Sequence, residues 1–147
     1  MFNQSTRQML AKMGVGLRVD HDAVALTNAT VTHFTVTGRI QLTGLYGIVT
    51  VAAGAACTCT WAANPTVGTT TALCTGLDID PALVGDLLGI SGVLGTAMTY
   101  GGAVVGFMQP VVVTAGAIQF IASAAEGSIS THLYYLPLTA DGAVVAA

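Results

Sequence analysis

The chain has 147 residues, enough for one domain that buries about two thirds of its unfolded surface without help from a cofactor or a disulfide. Only 7% of the residues are charged and 53% are apolar, whereas an ordinary soluble domain carries roughly 25% charge. A formal net charge of −3 with four dispersed Lys and Arg leaves no cationic stripe to neutralise successive phosphates, which excludes nucleic acid as a partner.

Met1 to Lys12 is polar and mixed and lacks the charged, apolar, small-residue order of a signal peptide, so the protein is expected to be made and kept in a cytoplasm. Within it, Gln4 to Met13 predicts a short helix, with Ser5 as N-cap, Met9, Leu10 and Met13 on one side, and Gly14 and Gly16 ending it. Ten residues do not hold a helix in water unaided, so this segment is expected to dock. Val15 to Thr32 sets Arg18, Asp20, His21 and Asp22 among Val, Ala and Thr with little core-building pattern. Residues 1–31 therefore read as an N-terminal arm, a short helix plus an extended segment, and residues 32–147 as the body.

His33 to Thr43 alternates most cleanly. Phe34, Val36, Gly38, Ile40 and Leu42 form one row, and His33, Thr35, Thr37, Arg39, Gln41 and Thr43 the other, which predicts a long half-buried strand with the second row outward. Gly44 and Gly47 predict a corner before a strand at Ile48–Val51. A further strand, Cys57–Ala62, would place Cys57, Cys59 and Trp61 on one buried face and end at Asn64-Pro65. Thr70–Ile79 follows as a strand, then a single helical turn at Asp80–Leu83 capped by Asp80. Strands are expected at Asp86–Ser91 and Ala103–Gln109. Ala115-Gly116 predicts a hairpin between Val111–Thr114 and Ala117–Ser123. Glu126-Gly127 and Asp141-Gly142 read as turns on either side of a last long strand, Ile129–Leu136.

Eight or nine short strands without a long helix in the body predict an all-β, antiparallel β-sandwich or jelly-roll-like body. The uncharged runs Ile40–Leu77 and Leu87–Ala125 are broken every few residues by Thr, Gly, Asn, Gln or Pro and are rich in β-branched residues, which argues for strands rather than membrane helices.

Little catalytic chemistry is legible. Asp78 and Asp80 read as turn and cap residues, His132 as a solvent-facing or hydrogen-bonded side chain, and the three cysteines as reduced core thiols without the partners a metal site needs. No enzyme activity, cofactor or metal is expected. The scarcity of charge instead suggests a surface covered by copies of this chain or by another protein, although an outer face of Thr, Ser, Gly and Ala would also be poor in charge. Residues 1–39 carry four basic and two acidic side chains (+2), and residues 40–147 five acidic and no basic ones (−5), so a head-to-tail contact would pair arm with body.

Gly38-Arg39-Ile40-Gln41-Leu42-Thr43-Gly44-Leu45-Tyr46-Gly47-Ile48-Val49-Thr50, His132-Leu133-Tyr134-Tyr135-Leu136-Pro137-Leu138 with Asp141-Gly142-Ala143, and the Asn64–Gly68 region carry a resemblance. The sequence resembles the small virion proteins that decorate, or cement, the capsids of tailed bacteriophages. The resemblance implies a β-sandwich that assembles as a homotrimer on the outer surface of the major capsid protein shell and resists internal DNA pressure, a virion component made in the host cytoplasm. Arg7, Lys12, Arg18 and Arg39 would orient the contact, and Met9, Leu10, Met13 and Leu17 would supply buried area. The competing expectation is a carbohydrate- or receptor-binding β-sandwich of a phage tail or virion surface, using Trp61, Tyr46, Tyr100, Tyr134 or Tyr135.

Overall fold

The computed structural model describes Ser5, residues 16–102, Gly106 and residues 108–147. The expected helix at Gln4–Met13, Ser5 apart, and with it Arg7, Met9, Leu10, Lys12 and Met13, lies outside the described residues. So does most of the strand expected at Ala103–Gln109, whose last two residues are not in a strand.

The described residues form one ten-stranded sheet: β1 (Leu17–Ala25), β2 (Thr30–Val51), β3 (Thr58–Pro65), β4 (Thr71–Ala72), β5 (Leu77–Asp78), β6 (Leu87–Gly89), β7 (Thr99–Gly101), β8 (Val111–Ala122), β9 (Ser128–Pro137) and β10 (Ala143–Ala146). The main path runs β1-β9-β2-β8-β3-β4, and every strand pair is antiparallel. No helix among the described residues is long and apolar enough to cross a membrane.

The 22-residue β2 organises the rest. Thr30–Leu42 pairs with β8, Ile40–Val51 with β9, and short stretches on its free edges take β10 and β6. The expected buried row is observed at Phe34, Val36, Ile40 and Leu42. A register shift between Leu42 and Gly44 then moves burial to Leu45 and Val49, because one extra residue exchanges the two faces of a strand. The corner expected at Gly44–Gly47 is this bulge, and the strand continues through it. Gly38 belongs to a second irregularity: its φ is +62°, and a Cβ there would lie 2.5 Å from the Asp141 carboxylate. A third, between Thr32 and Phe34, turns His33 inward beside Phe34, so the histidine expected in the outward row is fully buried.

Two further expectations are corrected. Val111–Ala122 is one continuous strand, with no hairpin at Ala115-Gly116. Gly116 is needed there for another reason: it has φ +152°, and a Cβ would run into the Asn64 carbonyl oxygen and Pro65 of the neighbouring strand. Likewise Leu17–Ala25, read as the extended part of the arm, is a strand hydrogen-bonded along β9. Its charged residues mask a plain alternation, with Leu17 and His21 buried and Arg18 and Asp20 exposed. The strand expected at Thr70–Ile79 is interrupted, leaving β4 and β5. The expected helical turn is a turn in which Ala82 N–H donates to the Ile79 carbonyl, and Asp78 rather than Asp80 accepts the local backbone N–H groups.

Trp61, Phe34, Phe120, Ile40, Leu42, Ile118, Leu88, Ile129 and Leu133 fill the centre of the core. His21 of β1 stacks on His33, which in turn meets Trp61 of β3 and Phe120 of β8. His21 of β1 and Trp61 of β3, strands that are not neighbours in the order, thus pack on the same histidine of β2, and the sheet folds over its own core.

Candidate functional site

β1, β9 and β2 lie side by side, and their register sets two rows on the outer face: Arg18, Tyr134 and Gly44 in one, Asp20, His132 and Tyr46 in the next. The opposite parity, Leu17, Tyr135 and Leu42, faces the core. Alternation alone therefore brings an ion pair and two tyrosines together from three distant parts of the chain. Gly44 makes room for the Tyr134 ring, which would lie 3.2 Å from a Cβ at that position.

Arg18 Nε donates to Asp20 Oδ1 at 2.7 Å, and His132 Nδ1 lies 2.6 Å from the same oxygen. An ionised carboxylate at that distance requires Nδ1 to carry a proton and donate. Burial pushes the Asp20 carboxyl up, but the hydrogen bonds from Arg18 and His132 outweigh it and hold it below the usual carboxylate range. The bond to Asp20 in turn raises Arg18. The Arg18 guanidinium carbon sits 5.9 Å from the Tyr134 ring centre, and the Tyr46 and His132 rings are 4.9 Å apart. Burial, with Tyr134 nearby, raises the Tyr46 phenol. Arg18 and Asp20 are each about half exposed, so their pair adds no more than about 1 kcal/mol to stability. Its effect is to fix the shape and charge of a surface patch.

An Asp–His pair invites a hydrolytic reading, which needs the second imidazole nitrogen to face a nucleophile. His132 Nε2 is instead enclosed, with no hydrogen-bond partner among the described residues. The patch presents aromatic rings beside one cation and one anion.

A second constellation is internal. The His21 and His33 rings are 4.5 Å apart and nearly parallel, His33 Nδ1 is 2.9 Å from Thr131 Oγ1, and His21 Nδ1 donates to the Asp22 carbonyl. Burial, with His21 beside it, pushes His33 down to about 4. Cys57 and Cys59 lie within the core beside Trp61 as the spacing indicates, their sulfurs 3.7 Å apart, and burial pushes the Cys59 thiol strongly up. Among the described residues, no group of three or more His, Cys, Asp or Glu could hold a metal ion.

Of the partner-binding residues read from the sequence, the structure places three. Leu17 is buried in the core, Arg18 is in the patch, and Arg39 stands exposed on β2 opposite Thr114, in a separate part of the sheet. The arrangement of Asp20, His132 and Tyr46 escaped sequence reasoning because it depends on which strands pair. Of the aromatics considered for sugar binding, Trp61 and Tyr135 are buried, whereas Tyr46 and Tyr134 are part of the patch and Tyr100 is exposed on β7. No protein-family model, curated protein or solved structure matches this chain.

Proposed function

We propose that this chain is a structural virion protein that binds the outer surface of a tailed-phage capsid and cements the shell, as a homotrimer of β-sandwich bodies with N-terminal arms. The observation that carries the reading is the patch of Arg18, Asp20, His132, Tyr46 and Tyr134, in which the chain's scarce charge, 7% of its residues, is set beside two tyrosines. Arg and Tyr are the residues that concentrate binding energy at protein interfaces, and the ion pair holds them ready before contact. Repetition over a symmetric shell would multiply a weak contact into firm attachment. Of the three stretches that carry the phage resemblance, one lies on β2 and one begins on β9, two of the three strands that build this face. In this reading the major capsid protein and other copies of this chain are the partners.

The test is co-sedimentation with emptied shells of the major capsid protein of the phage that encodes it. The full chain is expected to pellet with the shells and Tyr134→Ala to lose most of that binding while staying folded. Failure of the full chain to pellet would refute the reading.

The same patch favours one alternative, a carbohydrate- or receptor-binding module, since aromatic rings beside an acid and an arginine also suit a sugar. Glycan-array binding lost in both Tyr46→Ala and Tyr134→Ala would favour it.

A further inference from the structure

Four of the seven acidic residues gather at one end of the sheet. Asp78 accepts from Cys57 N–H, Glu126 from Gly54 N–H and Asp86 from Leu83 N–H, while Asp80 follows Asp78 in the same loop. Gly85 and Asp86 are hydrogen-bonded to Val49, so the 80–86 loop lies along the end of β2. These loops and the 51–57 connection make a single surface, which contains no Lys or Arg. From it project Leu83, 69% exposed, Val84, 65%, and Val51, 56%. An apolar knob ringed by carboxylates is a poor surface to leave in water.

The complement is in the same sequence. Residues 1–15 carry Arg7 and Lys12, no acid, and the apolar Met9, Leu10 and Met13. They enter the fold at Leu17, which pairs with Tyr135 opposite Leu42, at the other end of the sheet. From Leu42 to Val51 the strand covers about 30 Å, whereas the five residues from Lys12 to Leu17 span at most about 18 Å even when fully extended. That reach is too short for Lys12 to meet the acidic end of its own copy.

We infer that residues 1–15 of one copy dock on the Val51, Leu83 and Val84 knob of a second copy, with Arg7 and Lys12 facing Asp78, Asp80 and Asp86. This rests on the self-assembly part of the proposed function and names the surface that assembly uses. The contact is heterologous, head to tail, so it closes into a ring such as a trimer when the rotation between copies permits.

Lys12 is the only lysine, which gives a direct test. Full-length chain, an equal mixture of isotope-labelled and unlabelled copies, is treated with a carbodiimide that joins amines to carboxylates without a spacer. The expected product joins Lys12 of one copy to Asp78, Asp80 or Asp86 of another. In light scattering, Leu83→Ser with Val84→Ser is expected to weaken self-association by roughly tenfold or more. Lys12→Glu is expected to do the same, and Asp80→Lys in the same chain to restore it. Links confined within one copy, or oligomers indifferent to all these substitutions, would overturn the docking while leaving assembly through another surface intact. A wild-type chain that is monomeric at every concentration would overturn both.

Discussion

Protonating His33 is expected to unfold this protein from within. Its imidazole is fully buried against His21, Trp61 and Phe120, with only Thr131 Oγ1 as a partner. The folded state lowers its pKa from 6.5 to about 4, so the unfolded chain binds the proton more tightly. The stabilisation is therefore fully present above pH 6.5, declines as pH falls, and is gone below about pH 4. A shift of this size corresponds to about 3 kcal/mol in total, of which roughly 1.4 kcal/mol is lost by about pH 5.5. That is a large part of the stability of a small domain. The assay is urea unfolding of the wild type and His33→Gln at pH 7.5, 5.5 and 3.5. Gln cannot take up the proton, so the wild type should lose about 3 kcal/mol more than the variant across this range, whatever the carboxylates common to both contribute. Parallel losses in the two proteins would refute the reasoning.

Other outcomes follow from packing. Phe120→Ala removes a ring in contact with Trp61 and His33 and should cost about 3–5 kcal/mol in chemical denaturation. Gly116→Ala drives a methyl group into the Asn64 carbonyl at an unfavourable φ and should cost about 1–3 kcal/mol, lowering the melting temperature. Arg18→Ala should change stability by less than about 1 kcal/mol, since its ion pair is half exposed, while reducing attachment to capsid shells in the sedimentation assay.

The long strand at 33–43, the last strand at 129–136 and the turn at Asp141-Gly142 were legible because each declares itself locally, by alternation or by a turn dipeptide, while the chain expected to turn at Glu126-Gly127 bends just before it, at Ser123–Ala125. The burial of Cys57, Cys59 and Trp61 on one face followed from spacing in the same way. What escaped is non-local. Nothing near Gly116 distinguishes a glycine required by the approach of Asn64 and Pro65 from one that turns a hairpin. The bulges at Thr32–Phe34 and Leu42–Gly44 exist only relative to β8 and β9, and they decide whether His33 and Leu45 face inward. β1 was obscured because an edge strand can carry charge on every second residue and still bury Leu17 and His21. The candidate site inherits the same difficulty. Arg18 could be singled out as a rare cation, but Asp20, His132 and Tyr46 become its neighbours only once β1, β9 and β2 are placed side by side.

Self-assembly is tested most directly by the solution mass of the full-length chain in light scattering. One chain has a mass of 14.8 kDa. The expected species has three times that mass and dissociates when Leu83 and Val84 are both replaced by Ser. A wild-type chain with the mass of one copy across the accessible concentration range would contradict self-assembly.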